Sequence, residues 1–399
     1  MDANHSLGHP RFIIDAAALK TNLRTLRRHL AAEVNLCAVL KADAYGHGAA
    51  LVAQAIAAAE AESPFLRVDQ FAVATFDEAE ELAEFDKPIM LLRPVENAFI
   101  GRQREQIEQA IKSGWTLTLA SAAAADDIAR IALHVHKRAN VQIMLDTGMT
   151  RCGVQPADFG QVVERTLHHA ALRLTAVSTH LVNSEVAGDA FTNRQLRQFK
   201  QAVDEYPIIE SARLHAANSG AIFFTPRAHF DVVRPGIALY GVDPTGRACT
   251  NRALAPIGRL MAPIIAIHEI EAGQSVGYGQ TWIAADRTRV AIIPIGYADG
   301  YPRSASNRAV MMLGDKVCGV LGRVSMDMCA INITSVPEPI IGDEVTVIDN
   351  NPFSPASVYQ LARVCDTIPY EILTGIGRRV KRVLVNAEVE SPADVDAER

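Results

Sequence analysis

The chain has 399 residues, of which 49% are hydrophobic and 21% charged, and this balance excludes an intrinsically disordered protein. Its net charge of −6 and its lack of a dense lysine and arginine tract argue against nucleic acid and membranes, so a small molecule is the expected partner. The first residues contain no basic segment followed by an apolar one, so we expect a cytoplasmic protein. The six cysteines form no C-x-x-C pair, so neither a metal site nor a disulfide framework is expected.

The first part of the chain alternates short β-rich runs with longer helical patterns, which is typical of βα units. The predicted strands, in chain order, are Leu36–Leu40, Phe71–Thr75, Ile89–Leu92, Thr116–Leu119, Val141–Leu145, Leu174–Ser178, Arg213–Ala216 and Ile237–Tyr240. Eight such units predict an α/β fold with an N-terminal (β/α)8 barrel of the TIM type, to which we assign residues 1–245. Chemistry in such barrels collects at the C-terminal ends of the strands. The polar residues expected at that mouth are Lys41, Arg151, His180, Ser219 and Arg234.

The sequence pattern changes after residue 245 to short runs of β-branched residues separated by glycine and proline. The predicted strands are Ala262–Ile270, Thr288–Pro294, Ala309–Leu313, Lys316–Val320, Met328–Ile333 and Glu344–Ile348. This pattern predicts a C-terminal, mainly-β domain of residues 246–399, with which the first few residues of the chain are candidates to pair.

Lys41 stands at the C-terminal end of a predicted strand and opens the small-residue loop Ala42–Gly48. An amine at the tip of a buried strand, beside a loop that lets a ligand approach the backbone, is suited to bond covalently to a carbonyl cofactor. Taken alone, the motif favours the simpler interpretation of a lysine that extends from an ordinary strand into solvent. The other motifs of the chain decide between these interpretations.

Several further motifs follow predicted strands or lie in the second domain. They are Asp146–Gly153, His215–Gly220, Arg234–Gly241, Ser275–Thr281, Pro294–Gly300 and Gly322–Asp327. Taken singly, Arg151 fits a structural salt bridge as well as a substrate carboxylate, and Asn218-Ser219-Gly220 fits a turn. In this order, over roughly residues 12 to 385, the motifs resemble those of the alanine racemase family.

The resemblance implies pyridoxal 5′-phosphate (PLP) as the cofactor, bound covalently to Lys41. The residues that would bind PLP are Lys41, Tyr45, Arg151, His180, Asn218, Ser219, Arg234, Gly236 and Ile237. Arg234 would lie beside the pyridine nitrogen and be oriented by His180. Because an arginine does not readily release its proton, the ring would stay unprotonated, which favours racemisation over transamination.

The resemblance also implies that the enzyme interconverts L-alanine and D-alanine with one base on each face of the substrate. Lys41 would act on D-alanine and Tyr278 on L-alanine, while Arg151 and the Met326 amide would hold the carboxylate. Further residues expected at the site or its entrance are Tyr297, Asp327 and Arg378. Family members form homodimers with shared active sites, so Tyr278 and Met326 are expected to act in the partner's site. The D-alanine is expected to serve peptidoglycan synthesis.

Two positions depart from the family pattern. Met144 stands where the family often carries a carbamylated lysine, so we expect a bound anion such as chloride, or another side chain, to balance Arg151. Arg378 stands where some members have an active-site tyrosine, which weakens the expectation of a strict alanine preference. Two alternatives therefore stay open: an amino-acid racemase of broader specificity, and a PLP-binding protein without turnover. The second is disfavoured because such carriers resemble a barrel alone.

Overall fold

The computed structural model describes residues 9–96 and 102–387, and its contacts divide the chain into two compact units. The barrel unit comprises Leu23–Ala44 and Ala59–Leu239. The β unit comprises the residues up to Asn22, the segment Tyr45–Ala58 and the residues from Tyr240 onward. The domain boundary predicted at residue 245 stays a prediction, and the predicted domain ends, residues 1–8 and 388–399, lie outside the described residues.

The described part of the barrel unit contains an eight-stranded parallel sheet. Its strands are Asn35–Val39, Gln70–Val73, Ile89–Pro94, Thr116–Leu119, Ala139–Met144, Leu172–Ser178, Arg213–His215 and Val232–Val233. The first seven pair in chain order, and the last pairs with the first through Asn35↔Val232 and Leu36↔Val233. The sheet therefore curls into a nearly closed barrel, which confirms the predicted fold class.

Helices connect these strands. Their bounds are Ala49–Glu62, Phe76–Glu81, Gln103–Lys112, Ala122–His134, Phe159–His168, Ala190–Asp204 and Ser219–Phe224. Several begin at a polar side chain that accepts a hydrogen bond from the first turn, as Thr75, Ser121 and Asp189 do. Such caps satisfy backbone N–H groups that have no partner within the helix, and they fix where each βα loop ends.

The eighth strand lies earlier than the sequence predicts. We expected it at Ile237–Tyr240, but the strand is Val232–Val233 and the later residues form a turn, in which the Leu239 amide donates to the Gly236 carbonyl over 2.9 Å. Pro235 has no N–H group for a sheet ladder, so the strand cannot run on through it. The run Ile237–Tyr240 is apolar because it is buried in that turn.

The β unit is built on a nine-stranded sheet within the described residues. In spatial order its strands are Ala266–Ile270, Thr288–Ile293, Cys329–Asn332, Lys316–Leu321, Val310–Leu313, Glu344–Ile348, Gly258–Pro263, Arg11–Asp15 and Lys381–Val385. The predicted strand Ala262–Ile270 is two strands, because the chain leaves one neighbour at Pro263 and joins another at Ala266. A short hairpin pairs Ser275–Val276 with Trp282–Ile283.

The β unit also contains the helices Val358–Val364 and Pro369–Thr374, the first part of Ala16–Arg28 and most of Ala49–Glu62. The strand Arg11–Asp15 pairs antiparallel with Gly258–Pro263 and parallel with Lys381–Val385. The first described strand of the chain therefore belongs to the sheet of the β unit. Of the helices that the structure describes, none is both long enough and apolar enough to cross a membrane.

Candidate active site

Lys41 opens a one-turn left-handed helix at the end of the strand Asn35–Val39. Ala42, Asp43 and Ala44 have φ values of 53°, 53° and 51°, and Tyr45 follows at 55°. Left-handed conformations cost non-glycine residues roughly 1–2 kcal/mol each. Four consecutive residues of this kind are strained, and such strain concentrates at functional sites. The segment therefore marks the lysine as a position that the surrounding structure holds in place.

Glu78 ties this turn to the neighbouring βα loop. One of its carboxylate oxygens accepts a hydrogen bond from the Ala42 amide over 2.7 Å, and the other accepts from the amides of Ala74 and Thr75 over 2.7 and 3.1 Å. Since Thr75 also caps the helix that contains Glu78, this carboxylate is the second half of a capping box that extends to the lysine turn.

The pKa of Lys41 is lowered from its ordinary value. Burial of the amine is the main cause, and the positive charges of Arg151 and Arg234 add to it, while the negative charge of Glu78 acts in the opposite direction. Desolvation and like charges both disfavour the ammonium form. Lys41 therefore has more of the neutral, nucleophilic amine near neutral pH than an exposed lysine has.

Arg234 is a buried cation with three protein contacts. Its side chain donates to the Thr179 carbonyl over 2.8 Å and to the Ala216 carbonyl over 3.3 Å, and it contacts Nδ1 of His215. Burial lowers the pKa of Arg234 to about 10, so the guanidinium stays protonated at neutral pH. These three contacts, which lie at the ends of two strands, hold the guanidinium in a fixed position as a hydrogen-bond donor.

The histidine that contacts Arg234 is His215, which corrects the expectation that His180 orients this arginine. Burial, with the charges of Arg234, Arg151 and Lys41, lowers the pKa of His180 to about 3, so this ring is neutral and close to the same cations. His215 ends the strand Arg213–His215 and His180 follows the strand Leu172–Ser178 by two residues, so spacing alone does not show which ring reaches the guanidinium. The signal for His215 was its place at the head of the motif that contains Ser219.

Ser219 joins two of the motifs expected to bind PLP, His215–Gly220 and Arg234–Gly241. Its hydroxyl oxygen accepts hydrogen bonds from the amides of Gly236 and Ala238 over 3.0 and 3.2 Å. The side chain of Asn218 caps the following short helix by accepting from the Ala221 amide over 3.1 Å. The structure therefore brings Asn218, Ser219, Gly236 and the intervening Ile237 together at the C-terminal ends of two barrel strands.

Arg151 lies on an exposed loop whose base is fixed by Asp146. The Asp146 carboxylate accepts from the amides of Gly148 and Thr150 over 2.8 and 3.1 Å. Arg151 forms no ion pair with any residue that the structure describes, although its charge acts on both Lys41 and His180. Met144, the position of the family lysine, is half-buried. Within residues 9–96 and 102–387, no group of three or more His, Cys, Asp or Glu side chains could hold a metal ion.

In the β unit, Tyr278 projects from a short turn and is 74% exposed. Asn307 supports this turn: its amide nitrogen donates to the Thr281 carbonyl over 3.3 Å, and its amide oxygen accepts from the Gly322 amide over 2.6 Å. Gly322 has a φ of +69°, and a Cβ there would overlap the Val276 carbonyl, so glycine is required. The tyrosine is exposed on a well-supported loop.

The remaining predicted residues of the β unit form a second group. The Tyr297 amide donates to the Ser325 carbonyl over 3.1 Å, which places Tyr297 beside the Met326 loop. Arg379 forms ion pairs with Asp299 at 3.0 Å and with Asp327 at 2.8 Å. No local pattern indicates this role, because only the fold brings two distant carboxylates to one arginine. The neighbouring Arg378 is exposed.

Tyr45 is buried in an aromatic cluster of the β unit. Its ring centroid lies 5.0 Å from that of Tyr240 and 6.1 Å from that of Tyr370. Burial raises the pKa of the Tyr45 phenol, so it keeps its proton at neutral pH and can donate a hydrogen bond.

Two family models match the chain. The model for the N-terminal domain of alanine racemase matches residues 14–244, and that for the C-terminal domain matches residues 257–384. The chain is 34% identical to the alanine racemase of Symbiobacterium thermophilum over 373 residues, which are 92% of this chain and 95% of that relative. It is also 34% identical to the alanine racemase of Brucella abortus over 385 residues, 93% of this chain and 92% of that relative.

Solved structures of the same fold include the alanine racemase from Streptomyces lavendulae, with a TM-score of 0.84 at 29% identity, covering 97% of this chain and 99% of that one. Another is the alanine racemase from Bartonella henselae with covalently bound pyridoxal phosphate, with a TM-score of 0.81 at 31% identity, covering 94% of this chain and 99% of that one. These matches confirm the resemblance seen in the motifs, and the chain belongs to the alanine racemase family.

Proposed function

We propose that this chain interconverts L-alanine and D-alanine as a PLP-dependent isomerase. The observation that carries the proposal is the cluster at the C-terminal ends of the barrel strands, where burial and the charges of Arg151 and Arg234 lower the pKa of the Lys41 amine. A lysine in such surroundings is suited to covalent attachment of a carbonyl cofactor and to proton transfer near neutral pH.

The side chains of the barrel unit fit the chemical groups of PLP. Lys41 offers an amine for the aldehyde carbon, and the buried, protonated Arg234 offers a donor for the ring nitrogen. The turn that joins Ser219 to Gly236, with the amide of Ile237, offers hydroxyl and N–H groups of the kind that hold phosphate. When bound, PLP supplies a carbonyl carbon that captures the amino group of alanine and withdraws electrons from its Cα.

Three further residues are proposed to support the cofactor. Tyr45 keeps its proton because it is buried, so its hydroxyl would donate to the phosphate. Asn218 shapes the turn that presents Ser219. His180, whose pKa of about 3 keeps it neutral, would present an uncharged ring beside the cations of the site.

Two bases are proposed for the inversion. Lys41 Nζ would remove the Cα proton of D-alanine, and the Tyr278 hydroxyl would remove that of L-alanine, each returning a proton when the reaction runs in the opposite direction. Inversion needs a proton acceptor on each face of Cα, and a single base would have to cross from one face to the other. Arg151 and the Met326 amide would hold the alanine carboxylate so that the Cα–H bond faces a base.

We propose a homodimer with shared active sites because Tyr278 is exposed in the single chain. A phenol needs neighbouring cations, which lower its pKa, to act as a base near neutral pH, whereas Tyr278 is 74% exposed in the single chain. Met326 is also 52% exposed. Both residues would become buried if they completed the site of a partner subunit. Tyr297, Asp327 and Arg378 are proposed to line the entrance to that site.

Arg151 is proposed to be balanced by an anion such as chloride. The half-buried Met144 cannot be carbamylated, and Arg151 lacks an ion pair within the described part of the chain. Racemase activity should then depend on chloride at constant ionic strength. A gain in intact mass equal to one CO₂ on a lysine of the site would contradict this proposal.

Circular dichroism of L-alanine, L-serine and L-lysine incubated with the PLP-loaded protein tests the activity and its specificity. L-Alanine should lose its signal fastest. Equal rates with the three amino acids would favour the racemase of broader specificity, for which the exposed cation Arg378 is the specific observation. If PLP binds and no substrate loses its signal, the chain is a PLP-binding protein without turnover.

Mixing two inactive variants tests the shared site. Lys41→Ala removes one base and Tyr278→Phe the other, so a heterodimer would contain one site with both changes and one with neither. Subunit exchange should restore up to half of the activity in each mixed dimer. Without any recovery, the shared-site arrangement is wrong. The cytoplasmic location and the supply of D-alanine for peptidoglycan stay predictions.

A further inference from the structure

A cavity of about 640 Å³ lies at the opposite end of the barrel from Lys41. It is lined by Gln70, Thr116 and Arg213, each the first residue of its strand, so it opens at the N-terminal ends of the strands. Its volume falls within the range of small-molecule sites, about 300–1,000 Å³. All of its lining residues belong to the barrel unit.

The charge of this cavity is positive. Arg138, Arg173, Arg213, His169 and His215 line it, and none of its lining residues within the described chain is Asp or Glu. His169 is partnered by Asp126 at 2.7 Å, and Arg138 donates to a backbone carbonyl. Arg173 and Arg213 make no ion pair with the residues that the structure describes. In a chain of net charge −6, an acid-free cavity with two uncompensated arginines is suited to an anion.

His215 lines the cavity and also contacts Arg234 through Nδ1. A guanidinium can only donate, so Nδ1 accepts and the proton of the neutral imidazole resides on Nε2. Nε2 is buried and has no hydrogen-bond partner within the described chain. A buried N–H group without an acceptor is costly, which points to an acceptor that the protein itself does not provide.

We propose that this cavity binds a small multivalent oxyanion, a phosphate or a polycarboxylate, separate from the site around Lys41. One oxygen accepts the hydrogen bond of His215 Nε2, and the remaining charge faces Arg173 and Arg213. Because His215 contacts Arg234 through its other nitrogen, the bound anion fixes the orientation of the ring that positions this arginine. Binding at the cavity does not rest on the proposed racemase activity.

The experiment uses the full chain saturated with PLP, so that added phosphate cannot enter the proposed cofactor phosphate site. Inorganic phosphate and citrate are titrated separately at constant ionic strength, with heat measured by calorimetry and the imidazole nitrogens followed by ¹⁵N NMR. We expect saturable binding of at least one anion and a shift of the His215 Nε2 signal, assigned with the His215→Asn variant. The titration that saturates identifies the class of anion.

Three variants separate the cavity from the rest of the surface. Arg173→Gln and Arg213→Gln should each weaken binding at least fivefold, whereas Arg197→Gln, at an exposed arginine outside the cavity, should leave it unchanged. The proposal is overturned if neither anion saturates, if both cavity variants bind as the unchanged protein does, or if the His215 signal does not move. If the protein lacks racemase activity but none of these outcomes is observed, the result contradicts the proposed function and leaves the anion site standing.

Discussion

Lowering the pH from 7 to 5 should destabilise the folded protein because His215 is buried as a neutral imidazole. Burial and the charge of Arg234 hold its pKa well below the ordinary value. The unfolded chain binds a proton at this position below a pKa of about 6.5, while the folded protein does not. The contribution of neutral His215 to the free energy of unfolding is therefore complete above pH 6.5. It is lost as the pH falls toward the pKa that His215 has in the folded protein.

The size of this destabilisation follows from how much of the titration of the unfolded histidine lies between pH 7 and pH 5. Between pH 7 and 5 the unfolded histidine gains almost its full proton, which lowers the free energy of unfolding by about 2 kcal/mol. His180, with a pKa of about 3, acts in the same direction, with a smaller effect because its side chain is partly exposed. The two histidines together make acid unfolding steeper than the carboxylates alone would.

The assay is urea unfolding of the PLP-free protein at pH 7 and pH 5, at a fixed protein concentration so that association does not contribute. His215→Asn keeps an oxygen that can accept from Arg234 but cannot titrate. Its loss of stability between the two pH values should be smaller by about 2 kcal/mol. His134→Asn, at an exposed histidine, serves as the control. An equal loss in the unchanged protein and in His215→Asn would refute the reasoning.

Three other changes test the contacts described above. Gly241→Ala should prevent folding, because φ at Gly241 is +77° and a Cβ there would overlap a backbone carbonyl. Gly273→Ala is the matched control: φ is +87° but the space is open, so thermal unfolding should show a loss of only about 1 kcal/mol in the free energy of unfolding. Ser219→Ala removes the acceptor of two amides and should lower the free energy of unfolding by about 1–3 kcal/mol in urea. Arg379→Ala should raise KM for alanine more than it lowers kcat in steady-state assays, because it frees the Met326 loop; an unchanged KM would contradict this role.

The sequence predicted the barrel and the position of Lys41 because both depend on local patterns. Seven of the eight predicted barrel strands overlap observed ones, and the lysine follows an apolar run that the sheet buries. The eighth strand was misplaced because Ile237–Tyr240 is apolar for a different reason, namely burial in a turn after Pro235. Hydrophobicity reports burial, and only the missing N–H group of Pro235 indicates that the regular strand ends before it.

Other features depend on contacts between distant parts of the chain. The pairing of Arg11–Asp15 with Lys381–Val385 joins opposite ends of the sequence, and no local pattern predicts that partner. The contact of His215, in preference to His180, with Arg234 depends on side-chain direction at two strand ends. For the same reason, the role of Arg379 became visible only once its two carboxylate partners were brought together.

The left-handed turn after Lys41 links the reactivity of the lysine to the completion of folding. Four left-handed residues together cost roughly 4–8 kcal/mol, a large share of the 5–15 kcal/mol by which a typical domain is stable. An incompletely folded chain would relax these residues to right-handed or extended conformations, and its lysine would then be one ordinary amine among many. If the proposed function is right, selective capture of an aldehyde by Lys41 is a property of the finished fold, and cofactor loading would then report that a newly made chain has folded correctly.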